Sequence, residues 1–273
     1  MSNSETGSVI QAVFLDWAGT VVDHGSIAPV KALESVLTSA GLSVPSAVIR
    51  RDMGMAKKDH VRRLLYDHKV IQQWQRLYDA QPTEADVELL YAQLEPRMME
   101  ALIAHSQVIS GVPEITAQLR ARGTKIAGTT GYTRLMLETI QTLAAQQGYA
   151  TDASLTPEDV GAGRPFPWMC YRLAVDLRIY PLSACVKVGD TDSDMREGIN
   201  AGMWTIGVTR SGNGSGLTEQ EWAETGVAEQ DCILAKAERE LAQAGAHYTA
   251  ESVAHIMPIL DEIERRILRG ERP

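Results

Sequence analysis

Cysteine is scarce in this chain of 273 residues: there are three, Cys170, Cys185 and Cys232, with no Cys-x-x-Cys spacing among them. An odd, unpatterned set excludes a disulfide framework or a thiolate metal centre as an organising feature, so all three read as reduced packing residues. No stretch approaches the roughly 18 consecutive apolar residues of a membrane span. The opening MSNSETGSVI lacks the charge and apolar run of a secretory signal. Positive charge is also short, with 26 Lys and Arg facing 35 Asp and Glu for a formal charge of −9. That argues against a protein that coats nucleic acid or anionic membrane, because counterion release needs an excess of cations. A local basic pocket for a small anion remains compatible. Internal repeats are missing, and only SGNGSG at Ser211 to Gly216 is compositionally biased, which predicts a flexible turn. What is present, 44% hydrophobic and 22% charged residues, is the balance of a folded globular protein. The expected location is cytoplasmic.

The run Val9 to Leu15 is nearly all apolar and stops at Asp16, as a buried strand of a parallel sheet does. Helical patterns follow over Pro29 to Ala40, Ser46 to Asp67 and Glu84 to His105, with no strand between them. From Lys125 the pattern alternates: KIAGTTG, a helix over Arg134 to Gln147, another over Trp168 to Arg178, CVKVGD, a helix over Ser193 to Ala201, then MWTIGV. Such alternation builds βαβ units. The expectation is an α/β fold with a Rossmann-like parallel-sheet core from residues 1–25 and 101–273, and a small helical cap domain inserted as residues 26–100. Within the cap, Val87, Leu90, Tyr91, Leu94, Met98 and Leu102 recur at spacings of three and four, a stripe that reads as core or subunit interface. Pro96 inside it should kink or unwind the helix.

Ligands of open parallel sheets bind beyond the carboxyl ends of the strands. Three such ends carry polar residues: Asp16-Trp17-Ala18-Gly19-Thr20, Thr129-Thr130-Gly131-Tyr132 and Gly189-Asp190-Thr191-Asp192-Ser193-Asp194. Helix capping alone explains Asp192 or Asp194 about as well as ligation does. Asp16 and Asp190 differ, since each ends an apolar strand, and two converging carboxylates suit a hard divalent cation such as Mg²⁺. In MGMAKKDHVR a helical reading puts Met53, Lys57 and His60 on one face. A lysine becomes a nucleophile when desolvation or nearby positive charge lowers its pKa, and Arg50, Arg51, Lys58, His60 and Arg62 offer charge of that sign. By composition alone, a Lys/Arg-rich helix is a solvated face.

The ordered set of Asp16 to Thr20, Thr130, Arg164 in GAGRPFPWM, and Asp190 to Asp194 resembles the haloacid dehalogenase superfamily of aspartate-nucleophile phosphotransferases. Phosphatases of that superfamily usually carry a second Asp two residues after the nucleophile, which protonates the departing alkoxide. Here that position is Ala18, and a methyl group donates no proton. DWAGT with Ala18, MGMAKKDHVR, TTGYTR, AGRPFPWMCY and KVGDTDSDMREGINAGMWTIGV together resemble the phosphonoacetaldehyde hydrolase (phosphonatase) branch, over most of the chain.

The resemblance implies hydrolysis of the carbon–phosphorus bond of phosphonoacetaldehyde to acetaldehyde and phosphate, in 2-aminoethylphosphonate degradation. It implies a Schiff base on Lys57 and an aspartyl phosphate on Asp16, with catalytic roles for His60, Thr130 and Arg164. Met53, Gly54, Gly131 and Tyr132 would contact substrate. One Mg²⁺ per subunit would be held by Asp16, the backbone carbonyl of Ala18 and Asp190, and the protein would be a homodimer joined through cap helices. The imine accounts for Ala18, because it takes up the electrons of the broken bond as an enamine and leaves no alkoxide to protonate. Ser26 stands where the family is expected to carry Cys. Hinges are expected near Asp23 to Ser26 and Gln107 to Val112, while His24 and His105 receive no role. A generic phosphatase or mutase is disfavoured by Ala18 and Lys57. A haloacid dehalogenase needs no metal, and a mere binding protein would tolerate loss of these residues. A dinucleotide enzyme has only the fragment GAGR at Gly161 to Arg164 in its favour.

Overall fold

The computed structural model describes residues 8–273. Its centre is one sheet of six parallel strands, β1 (Ala12–Leu15), β2 (Lys125–Thr129), β3 (Ala153–Leu155), β4 (Cys185–Gly189), β5 (Trp204–Val208) and β6 (Tyr248–Ala250), in the order β3-β2-β1-β4-β5-β6. Every residue of β1, β4 and β5 is buried, which is why these strands read as apolar runs without alternation. The chain winds outward in opposite directions from β1 and β4, so the topological switch point, where such sheets bind ligands, lies between those two strands. Register sharpens the point: Leu15 pairs with both Gly128 and Val188, so Asp16, Thr129 and Gly189 leave the sheet at one level.

Six helices separate β1 from β2, and the first five are α1 (Ile27–Ser39), α2 (Ser46–Arg51), α3 (Lys57–Leu65), α4 (His68–Tyr78) and α5 (Glu84–Ala104). The others flank the sheet: α6 (Val112–Ala121), α7 (Arg134–Ala145), α8 (Pro157–Val160), α9 (Trp168–Asp176), α10 (Asp192–Asn200), α11 (Glu219–Glu224), α12 (Val227–Ala244) and α13 (Met257–Leu268). The apolar stripe of α5 is internal core. Val87, Leu90, Leu94, Met98 and Leu102 are buried where α5 meets α1 and α3, and Tyr91 is half-buried. Two connections join these helices to the sheet side by side, with Asp23 N–H donating to the Gln107 carbonyl at 3.1 Å and Ile109 N–H to that of Val21 at 2.9 Å.

Several local expectations need correction. The helix expected over Ser46 to Asp67 is two helices with a turn at Asp52 to Ala56, because Gly54 takes φ +86°, a left-handed conformation that only glycine adopts cheaply. Met53 therefore does not share a helix with Lys57 and His60. Pro96 neither interrupts α5 nor unwinds it. The first strand begins at Ala12 because the main chain at Val9 and Ile10 turns aside to the Glu264 carboxylate, at 3.2 and 3.5 Å. The SGNGSG segment is not a free turn: Ser211 is fully buried and its Oγ donates to the Gly19 carbonyl at 2.9 Å. Cys170 and Cys185 are buried and Cys232 exposed, all with free thiols.

Candidate active site

Asp16 leaves β1 into a tight turn in which Gly19, at φ +76°, donates its N–H to the Val22 carbonyl at 2.7 Å. A methyl group on Gly19 would intrude on the Asp190 carboxylate, so glycine here lets the β1 turn and the β4 end close on each other. Asp190 Oδ2 accepts the Asn213 N–H at 2.7 Å, and Oδ1 accepts Thr20 Oγ1 at 3.4 Å. Asp194 completes a capping box at the start of α10, its Oδ2 accepting Thr191 Oγ1 at 2.6 Å.

Arg164 organises the base of the site. It is fully buried, and its Nη2 donates to Asp16 Oδ1 at 2.7 Å and to the Thr129 carbonyl and hydroxyl at 2.6 and 2.8 Å. Its Nη1 lies 3.0 Å from Asp194 Oδ1 and its Nε 3.0 Å from Glu197 Oε2. Lys187, whose side chain is equally buried, reaches Thr129 Oγ1 at 2.7 Å, Asp194 at 2.9 Å and Glu197 at 3.1 Å. Lys187 and Glu197 were not foreseen from the sequence. The available signal was Lys187 itself, a lone charge inside the apolar strand CVKVGD.

Electrostatics follows from this crowding. Burial, then repulsion from Asp16 and Asp194, raises the Asp190 carboxyl well above its ordinary value. Burial likewise raises Asp16 although Arg164 opposes the shift. Asp194 is buried as deeply, yet Arg164 and Lys187 hold it below the usual carboxylate range. Asp16, Asp190 and Asp194 each offer an oxygen, all within 4.8 Å of one another. Four carboxylates, counting Glu197, crowd around Arg164 and Lys187, and the upward shifts of Asp16 and Asp190 reflect a crowding of like charge that a hard divalent cation would relieve. Of the three Asp residues, Asp194 is the one already engaged by two cations, leaving Asp16 and Asp190 as the better ligands.

Lys57 enters from above. It is the first residue of α3, is 4% exposed, and has its Nζ 5.2 Å from the centre of the Tyr132 ring. Burial pushes its pKa down to about 8, Asp16 and Asp190 pull against that, and Arg164 adds to it. Its place at a helix N-terminus disfavours the cation further. The expected contribution from neighbouring cations along the sequence is corrected: Arg51, Lys58 and Arg62 are drawn off into ion pairs with Asp52 and Asp67, Glu88, and Asp59 and Glu84 respectively. His60 is no cation either, because burial first and Lys57 second push it down to about 3. Its Nε2 lies 2.8 Å from the Ile49 carbonyl, a geometry that places the ring proton there and leaves Nδ1, without a partner among the described residues, as an acceptor.

The site is compact. Asp16, Ala18, Ser26, Pro29, Met53, Gly54, Lys57, Thr130, Gly131, Arg164 and Thr191 line one small cavity. Tyr132 borders it through its contact with Lys57, and its buried hydroxyl has no partner among the described residues. Burial and the surrounding carboxylates keep that phenol protonated. His60 does not line the cavity. The turn at Gly54 is pressed into the core: a methyl group there would strike Thr191 Oγ1, and one on Gly131 would strike the Met55 carbonyl. A larger cleft, about 680 Å³ between α2, α10 and α12, contains neither Asp16 nor Lys57 but shares Met53 and Thr191 with this cavity.

Comparison with known proteins identifies relatives along nearly the whole chain. A family model described as haloacid dehalogenase-like hydrolase matches residues 10–202, and a second, HAD-hydrolase-like model matches residues 161–253. The phosphonoacetaldehyde hydrolase of Bacillus cereus is 41% identical over 259 residues, covering 95% of this chain and 98% of that protein. That of Bacillus cytotoxicus is 41% identical over 257 residues, covering 94% and 97%. Among solved structures, a phosphonoacetaldehyde hydrolase-like protein from Oleispira antarctica superposes with a TM-score of 0.95 at 36% identity, covering 100% of this chain and 99% of that one.

Proposed function

The chain belongs to the phosphonoacetaldehyde hydrolase family of haloacid dehalogenase-like enzymes, and on that premise we propose that it splits the carbon–phosphorus bond of phosphonoacetaldehyde into acetaldehyde and phosphate. The observation that carries this is the meeting of Lys57, a buried amine with a lowered pKa, and Asp16, a carboxylate at a strand end, in one cavity whose remaining acid position is Ala18.

The neutral Lys57 amine adds to the aldehyde carbon, and the carbinolamine hydroxyl takes a proton from solvent and leaves as water, giving a protonated imine. Asp16 then attacks phosphorus in line, the carbon–phosphorus bond breaks, and its electron pair moves into the imine to form an enamine. Protonation of the enamine carbon and addition of water release acetaldehyde and free the amine. A second water attacks the aspartyl phosphate and releases phosphate, restoring Asp16. Asp16, the Ala18 carbonyl and Asp190 would hold Mg²⁺, which would supply positive charge to the phosphoryl oxygens. Arg164 and Thr130 hold those oxygens as charge develops. Tyr132 and Met53 keep water from the amine, and Gly54 and Gly131 let the turn carrying Met55 approach closely. His60, neutral and outside the cavity, serves the imine steps through position, its Nε2 hydrogen on the Ile49 carbonyl seating the first turn of α3 that carries Lys57.

In this proposal residues 26–100 act as a cap over a core of residues 1–25 and 101–273, and cap closure brings Lys57 to Asp16. A homodimer through the cap, where Leu89 and Ile103 of α5 remain exposed, belongs to the same proposal. So do a cytoplasmic location and a place downstream of a transamination of 2-aminoethylphosphonate. The test is incubation of the purified protein with phosphonoacetaldehyde and Mg²⁺. Equal release of acetaldehyde and phosphate is expected, whereas phosphate from monoesters with no acetaldehyde would move the chain to the phosphatases.

A further inference from the structure

Arg50, the penultimate residue of α2, binds neutral oxygens from two other parts of the chain. Its Nη1 donates to the Gly25 carbonyl at 2.8 Å and to Asn213 Oδ1 at 3.0 Å, with longer contacts to the Ser26 carbonyl at 3.5 Å and the Asn213 carbonyl at 3.4 Å. Its Nη2 donates to the Gly216 carbonyl at 3.4 Å. Asn213 reciprocates, with Nδ2 donating to the Arg50 carbonyl at 3.0 Å. A guanidinium, with five donors in a fixed fork, suits this multi-carbonyl grip better than an ammonium does.

The Asn213 main chain is also a support of Asp190, whose Oδ2 accepts its N–H at 2.7 Å. The neighbouring Gly212 packs so closely that a methyl group there would reach 2.5 Å from the Asp190 Cβ. One side chain in the segment that carries Lys57 is thus a single residue removed from a carboxylate at the end of β4. It also grips the connection at Gly25 and Ser26, about which that segment would swing.

We propose that Arg50 is a positioning residue whose clamp on Asn213 and Gly25 couples the seating of the Lys57 segment to the orientation of Asp190. The inference rests on the assignment of Asp190 as a metal ligand made above. Coupling of this kind is reciprocal: seating the segment tightens the metal site, and a metal at Asp190 holds the segment down.

The test uses full-length protein in five forms: unmodified, Arg50→Ala, Arg50→Lys, Asn213→Ala and the Arg50→Ala/Asn213→Ala pair. Mg²⁺ is titrated calorimetrically without substrate, and hydrogen exchange of residues 46–56 is followed with and without Mg²⁺. Each alanine variant is expected to weaken Mg²⁺ binding about tenfold, and the pair no more than either alone, because both remove one shared contact. Mg²⁺ should slow exchange of residues 46–56 in the unmodified protein and not in Arg50→Ala. Arg50→Lys should recover only part of the loss. Unchanged Mg²⁺ affinity in Arg50→Ala, or losses that multiply in the pair, would overturn the proposal. So would an unmodified protein that binds no Mg²⁺. Asn213→Ala keeps the N–H that Asp190 accepts, so it carries the test alone if Arg50→Ala does not fold. Neither readout needs substrate, so a protein that binds Mg²⁺ but yields no acetaldehyde would refute the proposed activity and leave the clamp standing.

Discussion

Arg164 Nη2 and Asp16 Oδ1 stand 2.7 Å apart with both side chains buried, and the same guanidinium touches Asp194 and Glu197. One cation thereby holds Asp16, the proposed nucleophile, in place and offsets the negative charge beneath it. Arg164→Ala is expected to lower kcat at least about 100-fold and to destabilise the fold by about 3 to 5 kcal/mol, since it strands buried carboxylates. Arg164→Lys restores a charge but not the fork, so thermal stability should recover further than turnover. Steady-state kinetics beside thermal melts checks both.

Lys57 acts as a nucleophile only when deprotonated. With its pKa pushed down to about 8, the rate of imine formation should rise with pH and level off above that value. The linked effect on stability has the same direction. Between about 8 and 10.5 the unfolded chain holds more protons on this group than the folded one, so its contribution to stability improves as pH rises through that window and is at its least favourable below 8. Single-turnover rates and urea melts across pH 7 to 10, on the order of one unit per step, compare the two effects.

Replacing Lys57 by Met removes a buried amine at a helix N-terminus and keeps an unbranched side chain of similar length. Lys57→Met should abolish acetaldehyde release while raising stability by about 1 to 2 kcal/mol, a trade of activity for stability. A calorimetric melt that shows no stabilisation would mean the amine is better solvated than its 4% exposure indicates.

Crowding of the Asp16 and Asp190 carboxylates leads to the expectation that Mg²⁺ is a stabilising ligand. At about 100 times its dissociation constant it should add about 2.7 kcal/mol to the unfolding free energy. Chelator should reverse the gain, and Asp190→Asn should abolish most of it, as thermal melts with and without Mg²⁺ would show.

Gly54→Ala places a methyl group against Thr191 in a left-handed backbone conformation. A cost of about 1 to 3 kcal/mol is expected from the strained backbone. Turnover should fall with it because the turn that leads into Lys57 is displaced from Thr191. Chemical denaturation and kcat on one preparation test this.

Four of the six strands were legible as apolar runs, three of them stopping at Asp16, Thr129-Thr130 and Gly189-Asp190, whereas β3 and β6, three residues each and only partly buried, left no such signature. Asp16 and Asp190 stood out as strand-end carboxylates, whereas Thr130 was singled out only by the family resemblance. The break between α2 and α3 was not legible, because local pattern supports one amphipathic helix and only the contact of Gly54 with Thr191, far along the chain, explains a left-handed turn there. Lys187 and Glu197 were missed for a similar reason. Lys187 stands out only as a charge inside an apolar strand and Glu197 not at all on α10, and both acquire partners only where β4 and α10 meet Arg164. The Ser211 to Gly216 loop reads as turn residues, and composition says nothing of Asp190 and Arg50, the groups it holds.

The most direct measurement is reduction with borohydride during turnover of phosphonoacetaldehyde, followed by peptide mass analysis. A two-carbon adduct on the peptide containing Lys57, with inactivation proportional to its yield, is the expected result. An enzyme that releases acetaldehyde at full rate in borohydride, with Lys57 unmodified, would contradict the imine mechanism.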